Sequence, residues 1–346
     1  MRLTSYVADL YGSRWSPGHS HGYISDQGLA RVGLQAGMEG SGMLAGKVLE
    51  IIEYTDPYCT WCWGSEPILR KIQYMYGDQI VIGYRMGGLV RDIRDFYDPV
   101  NAIGGEEWYA QVAAHWEDAS RRHGMPVDSR VFYDIRESFT STYPANIAVK
   151  AAELQDRELA KKYLRRLREA AAAERQPIHL MDIQAELALE VGLDGEKLLG
   201  DIRSGEAARL FELDLRECRA MGVTGFPTFL VRNLVDGRSA LVYGYRRYSY
   251  FEGLMDELAG DKLVRREISK DKMTVLDFIR RWGKVATQEV ATLLDVSRPE
   301  AFRILEDLTG EGLILKVVAG NDYFWKPIQK RSVFACDPEV GICGTL

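Results

Sequence analysis

Two cysteines stand three residues apart in the run Asp56-Pro57-Tyr58-Cys59-Thr60-Trp61-Cys62-Trp63-Gly64. A pair at this spacing can exchange disulfides when one sulfur is held as a thiolate and the second can reach it. The flanking sequence meets that condition. Residues 48–54 are mostly apolar and predict a buried strand, which Asp56-Pro57-Tyr58 breaks. From Cys62 onward Ile68, Leu69, Ile72 and Met75 follow a helical pattern until Gly77. Cys59 thus falls at a helix start, where unpaired backbone N–H groups and the helix dipole favour an anion. Cys62, one turn on, is placed to attack a mixed disulfide at Cys59 and release the partner. Thr60 and Trp61 carry no positive charge, so the helix terminus supplies most of the thiolate stabilisation. As the residues between the sulfurs they tune the potential and are assigned, with Phe226, to binding the substrate.

Half a zinc site is the main rival reading. It needs two further ligands, and Cys-x-x-Cys recurs nowhere else in the chain. No metal and no cofactor is therefore expected. Two inert buried cysteines, the other rival, would not require a strand-to-helix junction.

Two more residues belong with the pair. Pro227, in Gly225-Phe226-Pro227-Thr228, opens a strand after a Gly-x turn and is a candidate cis-proline. Opposite Cys59 it would present the Phe226 backbone to a bound peptide and keep metal ions from the thiols. The alternative is an ordinary trans proline at a strand start. Glu53 lies in an otherwise apolar strand, six residues before Cys59. Buried, its carboxyl would have a raised pKa and could carry protons to and from Cys62; the alternative is a strand-end side chain reaching water.

The elements that must position these residues form an α/β pattern. Residues 79–85 predict a second strand, parallel to the first across a right-handed crossover. Residues from 105 to about 220 are mostly helical, with helices over 108–122, 145–174, 180–191 and 207–221. Strands at 228–231 and 240–243 follow, joined through the turn signal Asp236-Gly237, and a helix over 248–259 closes the unit. After a charged connector at 261–272 come three helices, with Thr287 and Ser297 as N-caps of the second and third, then a hairpin turning at Ala319-Gly320-Asn321. Helix, helix, helix, hairpin is a winged-helix arrangement. The expected division is an N-terminal extension at 1–46, an α/β unit at 47–260 with a helical insertion at about 104–205, a winged-helix-like unit at 271–330, and a cysteine-containing tail at 331–346.

Composition narrows the classes. The chain has 346 residues, 46% hydrophobic and 27% charged, enough apolar material for a sizeable core and too much for disorder. Its net charge is −6, and residues 271–330 hold nine basic and nine acidic residues, so a nucleic-acid partner is disfavoured. No apolar run is long enough to span a membrane, no secretory signal is visible, and five cysteines are too few for a disulfide framework. The expected location is the cytoplasm. His19 and His21, two apart in a Gly/Ser-rich segment, are read as solvated loop residues.

These features together resemble the DsbA-like branch of the thioredoxin superfamily, near its cytosolic FrnE-type and predicted disulfide-isomerase members. The resemblance covers about residues 47–260. It rests on the Asp56-to-Gly64 run, Gly87-Gly88-Leu89, the helical insertion, Val223-Thr224-Gly225-Phe226-Pro227-Thr228, the helix proline Pro67, and Glu53 as the buried acid. It implies a thioredoxin fold with an inserted helical domain. It also implies an oxidoreductase or isomerase that exchanges disulfides with protein or small-molecule thiols. In that likeness Cys59 is the nucleophile, Cys62 the resolving thiol and Pro227 the cis-proline. DsbA itself has Pro-His between its cysteines; Thr-Trp here lacks the histidine, so strong oxidising power is not implied. Some members of this branch are adaptors that present clients to a protease, or redox-responsive regulators, and the added C-terminal unit fits a protein partner. Cys336 and Cys343, with six residues between them in the tail, form a candidate second redox pair. Cys218 reads as a small buried hydrophobe.

Overall fold

The computed structural model describes residues 46–328 and, as backbone only, two short strands at 334–336 and 343–345. The N-terminal extension with His19 and His21 lies outside the described residues, as do the side chains of Cys336 and Cys343.

Strand β1 (Leu49–Thr55) is buried along nearly its whole length, as its apolar run demands. Helix α1 (Thr60–Tyr76) carries Pro67 inside it and stops at Gly77, whose φ of 56° suits glycine. Strand β2 (Ile80–Met86) returns parallel to β1. A two-residue ladder, β3 (Tyr97–Asp98) with β4 (Ile103–Gly104), leads into the helices. These are α2 (Trp108–His123), α3 (Val131–Ile135), α4 (Tyr143–Glu153), α5 (Arg157–Ala173), α6 (Met181–Glu190), α7 (Gly195–Arg203) and α8 (Glu206–Ala220).

The continuous helix expected over 145–174 is two helices. Asp156 stops the first and caps the second, its carboxylate accepting from the Glu158 and Leu159 amides. Strands β5 (Thr228–Asn233) and β6 (Ser239–Tyr243) then complete a four-stranded sheet in the order β2-β1-β5-β6, and α9 (Tyr248–Ala259) packs on it. β5 runs antiparallel to β1 with Thr228 opposite Tyr54, which brings Pro227 to the end of β1 from which the chain reaches Cys59. This is a thioredoxin-like fold with a helical insertion.

The connector holds no α-helix. It is tied by the Gln79 side chain to Val264 and by the Arg266 amide to the Met75 carbonyl. Beyond it come α10 (Lys272–Trp282), β7 (Val285–Ala286), α11 (Thr287–Leu294), α12 (Arg298–Gly310), β8 (Ile314–Ala319) and β9 (Asp322–Pro327). Two details differ from the sequence reading. The two-residue strand β7 pairs with β9 and makes the sheet three-stranded, in the order β7-β9-β8. Thr287 is not the cap of α11. Its hydroxyl instead reaches Asp322 and accepts from the Trp325 indole. Ala286 occupies the cap, its amide held by the Glu289 carboxylate. Strands β10 (Phe334–Cys336) and β11 (Cys343–Thr345) form a separate antiparallel ladder.

The C-terminal unit is not a bead on a string. One apolar cluster runs from Leu49, Ile51, Ile72 and Phe229 through Phe251 to Phe278, Val290 and Trp325. The β8–β9 turn seats on the insertion, where Asn321 exchanges hydrogen bonds with the Val127 backbone at 3.0 Å. Gly320 is required there: its φ is 53°, and a Cβ would meet the Val127 carbonyl at 2.4 Å.

Candidate dithiol site

Cys59 is the N-cap of α1, with extended backbone at φ −81° and ψ 110°. Its Sγ accepts the Cys62 amide at 3.2 Å, so one unpaired N–H of the helix start points at the sulfur. Asp56 builds the turn that delivers it. The Asp56 carboxylate accepts from the Tyr58 amide (2.8 Å), the Leu89 amide (2.7 Å), the Thr142 hydroxyl (2.7 Å) and the Asn146 side-chain amide (2.8 Å). Four neutral donors, three of them on one oxygen, hold a fully buried carboxyl; burial still raises its pKa.

Cys62 is fully buried. Burial pushes its thiol well above the ordinary range, and the bond to Cys59 and the charge of Glu53 push the same way. Glu53 is also fully buried, which removes the water-reaching alternative. Its partner is Arg168 of α5, at 3.0 Å on Oε2, while Oε1 meets no hydrogen-bond partner. Burial raises Glu53 to about 7 in spite of Arg168, because that guanidinium also serves Glu66 and the Thr55 hydroxyl. A carboxyl poised near neutrality beside a buried thiol can hold or give a proton.

The Phe226–Pro227 peptide is cis. The Phe226 ring lies over Gly87, where a Cβ would meet its Cζ at 2.0 Å. Gly87 donates to the Thr55 carbonyl at 2.7 Å, so β1, the Gly87-Gly88 turn and Phe226 converge at one end of the sheet.

Thr60 differs from its expected role. It is 3% exposed, and its hydroxyl shares a 3.3 Å hydrogen bond with His123 Nε2 of the insertion rather than facing a partner. Trp61 is half-buried among His115, His123 and Tyr245, at ring distances of 6.2, 5.9 and 5.8 Å. His123 is held down to about 3 by burial and by His115, so it is neutral near pH 7. Its Nδ1 accepts the Met125 amide at 3.1 Å, which leaves Nε2 to carry the proton and donate to Thr60. Cys59 itself is 5% exposed, so the dithiol has a narrow opening. Sequence reasoning gave His115, His123, Tyr245 and Arg168 no role. Each sits on a distant segment, and nothing local to it signals the cysteines. Cys218 packs with Ile52, Tyr54 and Val223 as a small hydrophobe.

On the other side of α1 lies an ionic seam. Glu289 of α11, fully buried, meets Arg70 at 2.8 Å and Arg165 at 2.9 Å; Arg165 also meets Glu169 at 2.7 Å. Burial alone would raise Glu66, but Arg168, Arg165 and Arg70 bring it below the usual carboxylate range. Glu169 likewise falls to about 2 against its burial, through Arg165 and Lys284. Lys71 donates to the Thr292 carbonyl at 2.8 Å in the last turn of α11, where the helix dipole favours a cation. Among the described residues no group of three or more His, Cys, Asp or Glu side chains is placed to hold a metal ion.

A family model described as Thioredoxin matches residues 53–253. The chain belongs to the thioredoxin family. Among curated proteins it is similar to the ClpXP adapter protein SpxH of Halalkalibacterium halodurans, 30% identical over 82% of this chain and 90% of that protein. SpxH of Bacillus subtilis is 27% identical over 83% of this chain and 91% of that protein. Among solved structures it resembles a Nitrosomonas europaea protein named a "putative protein disulfide isomerase", with a TM-score of 0.50 and 22% identity over 61% of this chain and 97% of that one. That likeness concerns the thioredoxin-like fold. No helix among the described residues is long and apolar enough to cross a membrane.

Proposed function

We propose that this thioredoxin-family protein is a cytoplasmic adaptor that binds a protein client and presents it to the ClpXP protease. The observation that carries the reading is the C-terminal unit. SpxH of Halalkalibacterium halodurans aligns over 284 residues, longer than the thioredoxin match at 53–253 and so reaching beyond it. The C-terminal unit, read as winged-helix-like, is fixed to the thioredoxin-like body by the buried Glu289 pairs and the seated Gly320 turn. A C-terminal unit joined to the thioredoxin-like body through one apolar cluster suits a protein that must hold a client and a protease together. The near-closed dithiol weighs the same way, because a folded client meets little of Cys59. The test is capture of substrates by catalytically inactive ClpP in cells with and without this chain. A set of proteins trapped only when the chain is present is expected, and it should survive the double change Cys59→Ser and Cys62→Ser. Identical sets with and without the chain remove the reading.

Thiol–disulfide exchange is the second reading, and one observation favours it: the Cys62 amide aimed at Cys59 Sγ at a helix start. Cys59 as thiolate would attack a client disulfide, releasing one client thiolate. Cys62, giving its proton to Glu53, would then attack the mixed disulfide and release the second. Trp61 and Phe226, both half-buried near this end of the sheet, would flank the client, and Pro227 would present the Phe226 backbone to it. Insulin reduction lost in Cys59→Ser, with mixed disulfides accumulating in Cys62→Ser, is the expected result. Full activity in Cys59→Ser eliminates the nucleophile.

A further inference from the structure

The geometry points to a second dithiol–disulfide pair, Cys336 with Cys343, that closes the C-terminal hairpin in the presence of a low-molecular-weight disulfide. This is independent of both functional readings. β10 and β11 pair antiparallel with Phe334 opposite Thr345, Ala335 opposite Gly344, and Cys336 opposite Cys343. Residues directly opposite in such a ladder have Cα atoms roughly 4.5–5.5 Å apart. A disulfide spans Cα separations of about 4.4–6.8 Å, so this register suits one without movement of the backbone. A ladder of two strands alone is marginal in water, so a crosslink at its innermost pair decides whether it persists. The other three cysteines are committed elsewhere: Cys59 and Cys62 to each other's neighbourhood, Cys218 to the apolar cluster beneath the sheet.

The chemistry balances with oxidised glutathione as the oxidant. One tail thiolate attacks a glutathione sulfur, forms a mixed disulfide and expels one glutathione thiolate. The second tail thiolate attacks that mixed disulfide, forms the Cys336–Cys343 bond and expels the other glutathione. The two cysteines together lose two electrons and two protons, and the small disulfide becomes two thiols.

Trypsin cuts after Arg331 and at no later residue, so residues 332–346 leave as one peptide with both tail cysteines and no others. The full chain is equilibrated in glutathione buffers of graded potential, quenched in acid, alkylated with N-ethylmaleimide, digested and weighed. The expected peptide in oxidising buffers is unalkylated and two hydrogens lighter than the dithiol. It should convert in one two-electron transition to the doubly alkylated form as the buffer becomes reducing. Cys343→Ser should raise the glutathione adduct on this peptide about tenfold in buffers that close the parent, because the second attack is missing. Double alkylation at every potential, glutathione adducts without the lighter peptide, a crosslink to Cys59, Cys62 or Cys218, or no adduct rise in Cys343→Ser each overturns the pair.

Discussion

Helix α1 is buried by two different chemistries. At its N-terminal end it meets neutral groups: Thr60 bonded to His123, Trp61 among His115, His123 and Tyr245, and Gly64 against the His123 ring. Along its next turns it meets full charges from both α5 of the insertion and α11 of the C-terminal unit, with Arg70 and Glu66 set among Arg165, Arg168 and Glu289. The neutral side tolerates a missing partner at the cost of one hydrogen bond. The ionic side does not, because removing one charge strands its counter-charge in low dielectric. Cys59 sits at the neutral end with the Cys62 amide of the helix start at its sulfur, whereas the Cys62 thiol also lies within the field of Arg168.

That contrast can be broken in graded ways. Glu289→Ala should have the largest effect, about 3–5 kcal/mol of lost stability, because it takes the carboxylate partner from buried Arg70, removes one of the three that Arg165 meets, and frees the Ala286 amide. Chemical denaturation measures it, and a loss below about 1 kcal/mol would show that the seam does not hold the units together.

Glu53→Gln comes next and is read through pH. The folded value is about 7 against an ordinary 4.5. Between these values the folded chain keeps a proton that the unfolded chain has lost. The contribution of Glu53 is therefore fully present below about pH 4.5 and lost as pH rises through 7, a span of about 3 kcal/mol. The glutamine variant should lack that slope in denaturation measured from pH 5 to 8; an unchanged slope assigns it to another group.

On the neutral side the expected effects are smaller. Gly64→Ala sets a Cβ 2.6 Å from His123 Cγ and should cost about 1–3 kcal/mol by forcing α1 and α2 apart. A melting temperature equal to the parent's would mean that the histidine ring moves freely. Thr60→Val should cost about 1 kcal/mol, because it removes the partner of His123 Nε2 while keeping the side chain's shape. A cost approaching that of Glu289→Ala would erase the distinction between the two sides.

Much of this was legible locally. Period-2 and period-3.6 patterns put β1, α1, β2, β5 and β6 within a residue or two of their observed ends, and Ser297 caps α12 as its sequence position suggests. Asp156, one residue in a strongly helical stretch, does not stand out as a stop, because propensity summed over a window of that length hides a single cap. Glu53 was legible as an odd acid in an apolar strand, but Arg168 was not. It lies 115 residues away among Arg165, Arg166 and Glu169, and helix pattern alone does not say which of these turns inward.

By itself the sequence determined the junction. A strand, a breaking Asp-Pro and a helix beginning at Cys59 are set by side-chain period and backbone stereochemistry, both local in range. Only the tertiary structure decided what surrounds that junction. Burial and charge compensation depend on which distant segments arrive together, and it is these that put Glu53 near neutrality, keep His123 uncharged, and bind the C-terminal unit to the thioredoxin-like body.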